Sequence, residues 1–206
     1  QLKWYDLIPV VSYLFLKARC RYCGEEISIR YPFVELITST LFLAVYLKFS
    51  AAATILIYLL LTSMIIVISF IDLEYQIIPN QITYSGIILG LILSIFFNHI
   101  NFLSAFIGGL IPGLLLFLIA AIYRKGMGMG DVKLAAMLGV FLGWKYTLMG
   151  IFLGSLLGSI FGILLMVLGK FDRETRVPFA PLISVGILIN LFWGDFLLNF
   201  YLKVFQ

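Results

Sequence analysis

Residues 51–73 read AAATILIYLLLTSMIIVISFIDL, an uncharged run that ends at Asp72. Its length matches the ~20 apolar residues that a helix needs to cross a hydrocarbon core. Similar runs recur at about 33–49, 81–97, 102–122, 146–168 and 179–201, with a shorter one at 132–143. Of the 206 residues, 63% are hydrophobic and 12% charged, against roughly a quarter charged in a soluble domain. A water-soluble fold of this size has no way to hide that much apolar surface. The expected fold is all-α: a polytopic transmembrane helical bundle of about seven segments over 33–206, preceded by a small polar module at 1–32.

Threading these segments back and forth through a bilayer sorts the basic residues. Lys3, Lys17, Arg19, Arg21, Arg30, Arg124, Lys125, Lys133, Lys170, Arg173 and Arg176 fall on one side, and only Lys48, Lys145 and Lys203 on the other. An excess of lysine and arginine marks the cytoplasmic side, so the polar module and the loops at 72–80, 124–133 and 169–178 are expected there. The net charge of +4 is spread over short loops and forms no stripe, which points to membrane lipid and not to nucleic acid as the surrounding partner. No secretory signal opens the chain, and the missing Met at position 1 leads us to expect further residues upstream. Trp4, Trp144 and Trp193 read as interface anchors.

Ionisable groups at a membrane edge are costly and call for a reason. Asp72 closes the second apolar run, while Asp131 opens the short fifth one after Gly126-Met127-Gly128-Met129-Gly130. That fifth segment is too short to span alone unless it is broken, re-entrant or buried among its neighbours. Both aspartates are expected at the same membrane margin. Two carboxyl groups within a few ångströms resist ionising together and share a proton. One can then act as base toward a water while the other donates a hydrogen bond to a carbonyl, which is the chemistry of peptide hydrolysis. The glycines allow close backbone approach, and a helix N-terminus at Asp131 favours its charged form. The plainer alternative makes each aspartate an end-of-helix residue, with Asp131 capping its own helix. A rival from another class is a transporter or channel that uses Asp72 and Asp131 as proton or cation sites.

The tetrad Gly128-Met129-Gly130-Asp131 is the mark shared by the GxGD intramembrane aspartyl proteases, and its extension through Val132-Lys133-Leu134 resembles the type IV prepilin peptidases. Trp4-Tyr5-Asp6-Leu7-Ile8-Pro9 through Arg30-Tyr31-Pro32-Phe33-Val34-Glu35, Asp72 to Pro79-Asn80, and Pro178-Phe179-Ala180-Pro181 are similar to the same family, in the same order. The resemblance implies that Asp72 and Asp131 are the catalytic pair and that Gly128 and Gly130 shape the second loop. It implies prepilin or pseudopilin substrates, whose basic leader lies in the cytoplasm ahead of a hydrophobic helix and is typically cut after glycine. Lys133 reads equally as a group tuning the aspartates or as an interface marker. Hydrolysis by this route takes no cofactor, whereas many members also methylate the new N-terminus with S-adenosylmethionine. Where the family has Gly-Arg-Cys, this chain has Ala18-Arg19-Cys20.

Cys20-Arg21-Tyr22-Cys23 has the spacing of a metal knuckle. Zinc takes four ligands, however, and the second CxxC that the family often carries is not in this chain. The pair therefore reads as half of a zinc site or as two free thiols in a tight turn. His99 and Asp195 fall at the opposite membrane edge from the aspartate pair.

Overall fold

The structure, a computed structural model, describes residue 8 and residues 10–123, 128–169 and 178–204. Trp4 to Leu7, Pro9, the Gly126-Met127 start of the glycine loop, and the basic residues Arg124, Lys125, Lys170, Arg173 and Arg176 lie outside the described residues. The architecture is all-α. Its helices are α1 (Val11–Phe15), α2 (Arg30–Lys48), α3 (Ala52–Tyr75), α4 (Asn80–Phe97), α5 (Phe102–Ile122), α6 (Met129–Leu142), α7 (Trp144–Val167) and α8 (Ala180–Val204). Six of them, α2 to α5, α7 and α8, are long and apolar enough to cross a membrane, as a multi-pass protein requires.

The chain divides into two compact units, residues 1–63 and 64–206. In the first, α1 leads into a turn closed by an isolated antiparallel bridge between Arg19 and Glu26, whose side chains pair at 3.4 Å. Cys20 to Gly24 form the tip of this turn, and Gly24 takes a φ of 72°. The helix α2 and the first half of α3 complete the unit.

The second unit is organised around α6, which packs against α4, α5, α7 and α8. Its 14 residues extend only about 21 Å, short of the hydrocarbon core. That length is tolerable because α6 is enclosed by protein. Leu134, Ala135, Met137, Leu138 and Phe141 have no exposure at all. Of the three options open to the short segment, the structure takes burial among neighbours. Helices in lipid gain little from the hydrophobic effect against one another and associate through close packing, so small residues decide how near they come.

The nearest approach of α5 to α6 is at Gly108 and Gly139. A methyl group on Gly139 would run into the Gly108 carbonyl, and one on Gly108 into the Gly139 carbonyl. Pro112, inside α5, has no N–H to return to that same Gly108 carbonyl, which is left free to face α6. Gly139→Ala is therefore expected to destabilise the protein by about 1–3 kcal/mol, the range of an overpacked core. Gly162→Ala, where a Cβ meets nothing within 4 Å, should be neutral or stabilising. Thermal unfolding of both variants in the same detergent checks the contrast.

Candidate functional site

Asp72 lies one turn before the end of α3, which runs on to Tyr75 and so extends past the aspartate that the sequence placed at the segment's close. The residue is only 6% exposed. Its Oδ2 accepts a 3.0 Å hydrogen bond from the backbone N–H of Ala180, the first residue of α8. The first N–H groups of a helix have no partner inside it, and the helix dipole there favours negative charge. Asp72 thus caps a helix that begins 108 residues later. One turn along each helix, the hydroxyls of Ser69 and Ser184 are 2.8 Å apart, and the Ser184 hydroxyl donates to the Ala180 carbonyl at 2.7 Å. These contacts join α3 to α8 at the level of the carboxylate.

Asp131 is seated differently. The helix α6 begins at Met129, three residues ahead of the expected start, so Asp131 falls inside its first turn and Gly128 is the N-cap. The carboxylate turns back to accept the Gly128 N–H at 3.2 Å, while the Asp131 N–H donates to the Gly128 carbonyl at 3.2 Å. Gly128 has no side chain to reciprocate, so this is half of a capping box. The capping role foreseen for Asp131 is present, and it coexists with a second feature: its carboxyl group lies within electrostatic reach of Asp72.

The two glycines of the tetrad differ in what they do. A Cβ on Gly130 would stand 2.9 Å from the Cβ of Ile78 in the α3–α4 linker, closer than real side chains approach. At Gly128 a Cβ would meet nothing nearer than the Asp131 carboxylate at 3.6 Å. Lys133 is drawn to α4. Its Nζ donates to Asn80 Oδ1 at 2.8 Å and lies 5.1 Å from the centre of the Tyr84 ring. Among the described residues the ion pair within 4 Å is Arg19 with Glu26, so neither aspartate is salt-bridged to Lys133.

A type IV leader peptidase family model matches residues 59–163, which contain both aspartates, and a bacterial N-terminal domain model of the same peptidase group matches 1–49. The chain belongs to the type IV leader peptidase family. It is similar to the prepilin leader peptidase/N-methyltransferase of Aeromonas salmonicida, at 36% identity over 95% of this chain and 69% of that protein. The corresponding figures are 33%, 97% and 80% for the Bacillus subtilis protein of that name, and 32%, 98% and 72% for that of Legionella pneumophila. No solved structure matches significantly.

The two cysteines of this leader-peptidase chain belong to the first unit. The Cys20 thiol is held below the ordinary thiol value, first by the backbone N–H of Cys23, then by that of Tyr22 and by the Cys23 side chain. Both cysteines are free. Among the described residues no group of three or more histidine, cysteine, aspartate or glutamate side chains comes together. At the far end of the second unit, burial pushes the His99 imidazole below its usual value. Asp195 there accepts a 2.5 Å hydrogen bond from the Tyr146 hydroxyl.

Sequence reasoning missed Ala180, Ser69 and Ser184 as site partners. The Pro178-Phe179-Ala180-Pro181 motif was the available signal, since a proline in the first turn marks a helix start and its unpaired donors. From the contrast between the glycines, Gly130→Ala should lower the midpoint of thermal unfolding markedly through its clash with Ile78, while Gly128→Ala should lower it less, by the cost of alanine at an N-cap.

Proposed function

We propose that this chain is an intramembrane aspartyl endopeptidase that cleaves the leader peptide of type IV prepilins or pseudopilins, with Asp72 and Asp131 as its catalytic pair. The supporting observation is that two carboxyl groups 59 residues apart in sequence come within electrostatic reach of each other, each on a backbone N–H at a helix N-terminus. Among the described residues, no side chain is hydrogen-bonded to the second oxygen of either carboxyl group. The pair can therefore hold one proton between them and a water beside them.

Hydrolysis then follows from proton bookkeeping. The ionised carboxylate takes a proton from water as the water oxygen attacks the scissile carbonyl carbon, and the protonated partner donates to the carbonyl oxygen. Collapse of the tetrahedral intermediate breaks the C–N bond: the proton gained by the base passes to the leaving amine, and the hydroxyl formed on the former carbonyl oxygen returns its proton to the donor carboxylate as the C=O bond re-forms. The pair ends with its single proton restored. Each aspartate accepts one backbone N–H, so the roles of base and donor are interchangeable on geometry. No step calls for a metal or an organic cofactor.

The placement that suits this reaction is a multi-pass protein of the bacterial inner membrane, with residues 1–32 and the aspartate pair on the cytoplasmic side. A basic leader followed by a hydrophobic helix presents its junction at that level. Methyl transfer from S-adenosylmethionine to the new N-terminus is proposed on the names of the relatives alone, which include an N-methyltransferase, and none of the residues described above is assigned to it.

Asp72→Asn and Asp131→Asn should each reduce cleavage of a prepilin by at least about 10²–10⁴-fold, the contribution of a positioned acid or base. Both variants should still be recovered folded from the membrane. Cleavage by the unaltered protein should fall at low pH, where both carboxyl groups are protonated and no base remains, and again at high pH, where both are ionised and no donor remains. Full activity in either purified variant contradicts the assigned roles.

A further inference from the structure

Around Asp131, two contacts bind the start of α6 to one short stretch of chain. On the N-terminal side Gly130 receives Ile78, and on the C-terminal side the Lys133 ammonium is held by Asn80 and lies against the Tyr84 ring. Ile78 and Asn80 belong to the segment that leaves Asp72. The helix α3 stops at Tyr75, Gln76 turns out of it at a φ of 53° with its N–H still on the Asp72 carbonyl at 2.9 Å, and α4 begins at Asn80. Eight residues of chain therefore connect one aspartate to the clamp on the other.

We propose that Asn80 and Lys133 are positioning residues: they latch the α3–α4 linker onto the first turn of α6 and so set the separation of Asp72 and Asp131. This rests on the reading of the two aspartates as the catalytic pair. A lysine suits the task better than an apolar side chain. The α3–α4 linker supplies Gly130 with an apolar neighbour, the half-buried Ile78, but the other side of the same turn needs a group long enough to reach α4. Its ammonium can satisfy an amide oxygen and an aromatic face together. Asn80 Oδ1 supplies the acceptor without adding a second negative charge beside the aspartates. The latch acts through geometry, because the carboxyl groups perform their shared-proton chemistry only at short range and a displacement of about 1 Å can cost on the order of a hundredfold in rate.

The experiment measures cleavage of a prepilin by the full chain in detergent or bilayers, across pH, for Asn80→Ala, Asn80→Asp, Lys133→Met and the Asn80→Ala/Lys133→Met double variant, with Asp72→Asn alongside. Asn80→Ala should lower kcat about tenfold or more, with KM within about twofold. It should also narrow the active pH range, because carboxyl groups that drift apart titrate more nearly independently. A loss of folded protein scales the profile without narrowing it, so the width separates positioning from stability. Asn80→Asp, which keeps the acceptor oxygen but adds a charge beside the pair, should shift the profile to higher pH without narrowing it, and the double variant should be no worse than the poorer single. The latch is overturned if Asn80→Ala keeps the full pH width, or if the losses of the two single variants multiply in the double. Cleavage by Asp72→Asn refutes the catalytic pair itself, a separate result from an unchanged Asn80→Ala beside an inactive Asp72→Asn.

Discussion

A carboxylate in a lipid-surrounded bundle is tolerable only where the protein supplies what water would, and for Asp72 that is the free N–H of Ala180 at the head of α8. This one hydrogen bond ties the end of α3 into a unit otherwise packed through α4 to α8. It fixes where α8 starts against α3, and the Ser69–Ser184 contact continues the alignment one turn deeper. With α3 and α8 so joined, α6 completes the unit among α4, α5, α7 and α8 and carries its own acid, Asp131, toward Asp72. Both acids meet the same requirement by the same means, a helix N-terminus, although one borrows the terminus of a distant helix and the other uses its own.

Steric closeness supports the electrostatics. The short central helix can approach α5 because Gly108 and Gly139 have no side chains, and it can accept the α3–α4 linker because Gly130 leaves room for Ile78. A buried helix of 14 residues would be untenable facing lipid, yet surrounded by longer helices it places Asp131 in its first turn at one margin of the bundle. Stability and chemistry thus draw on the same feature. Packing that excludes lipid from α6 also holds Asp131 where the charge of Asp72 reaches it.

The membrane-crossing helices were legible because length and lack of charge are local properties, and each apolar run became a helix within a few residues of its expected bounds. Asp72 and Asp131 stood out for a local reason too, since an acid at the end of an apolar run is costly wherever the chain goes next. What the sequence did not carry was pairing over distance. Nothing near Asp72 names Ala180 as its partner, and nothing near Lys133 names Asn80, because a hydrogen bond between elements 108 or 53 residues apart leaves no periodicity. The start of α6 was placed too late for a physical reason as well. Glycines at 128 and 130 read as loop by propensity, whereas Gly128 serves as the N-cap and the helix takes in Met129 and Gly130, the latter close against Ile78.

The most direct measurement is the position of the two carboxyl groups in an experimental structure with a prepilin leader bound through a non-cleavable mimic of the tetrahedral intermediate. If the pair acts jointly on one water, both Asp72 and Asp131 will lie within about 2.6–3.2 Å of the mimic's hydroxyl groups. If either carboxyl group instead faces away from the mimic, with no path to it through a single water, the two aspartates do not form one catalytic centre.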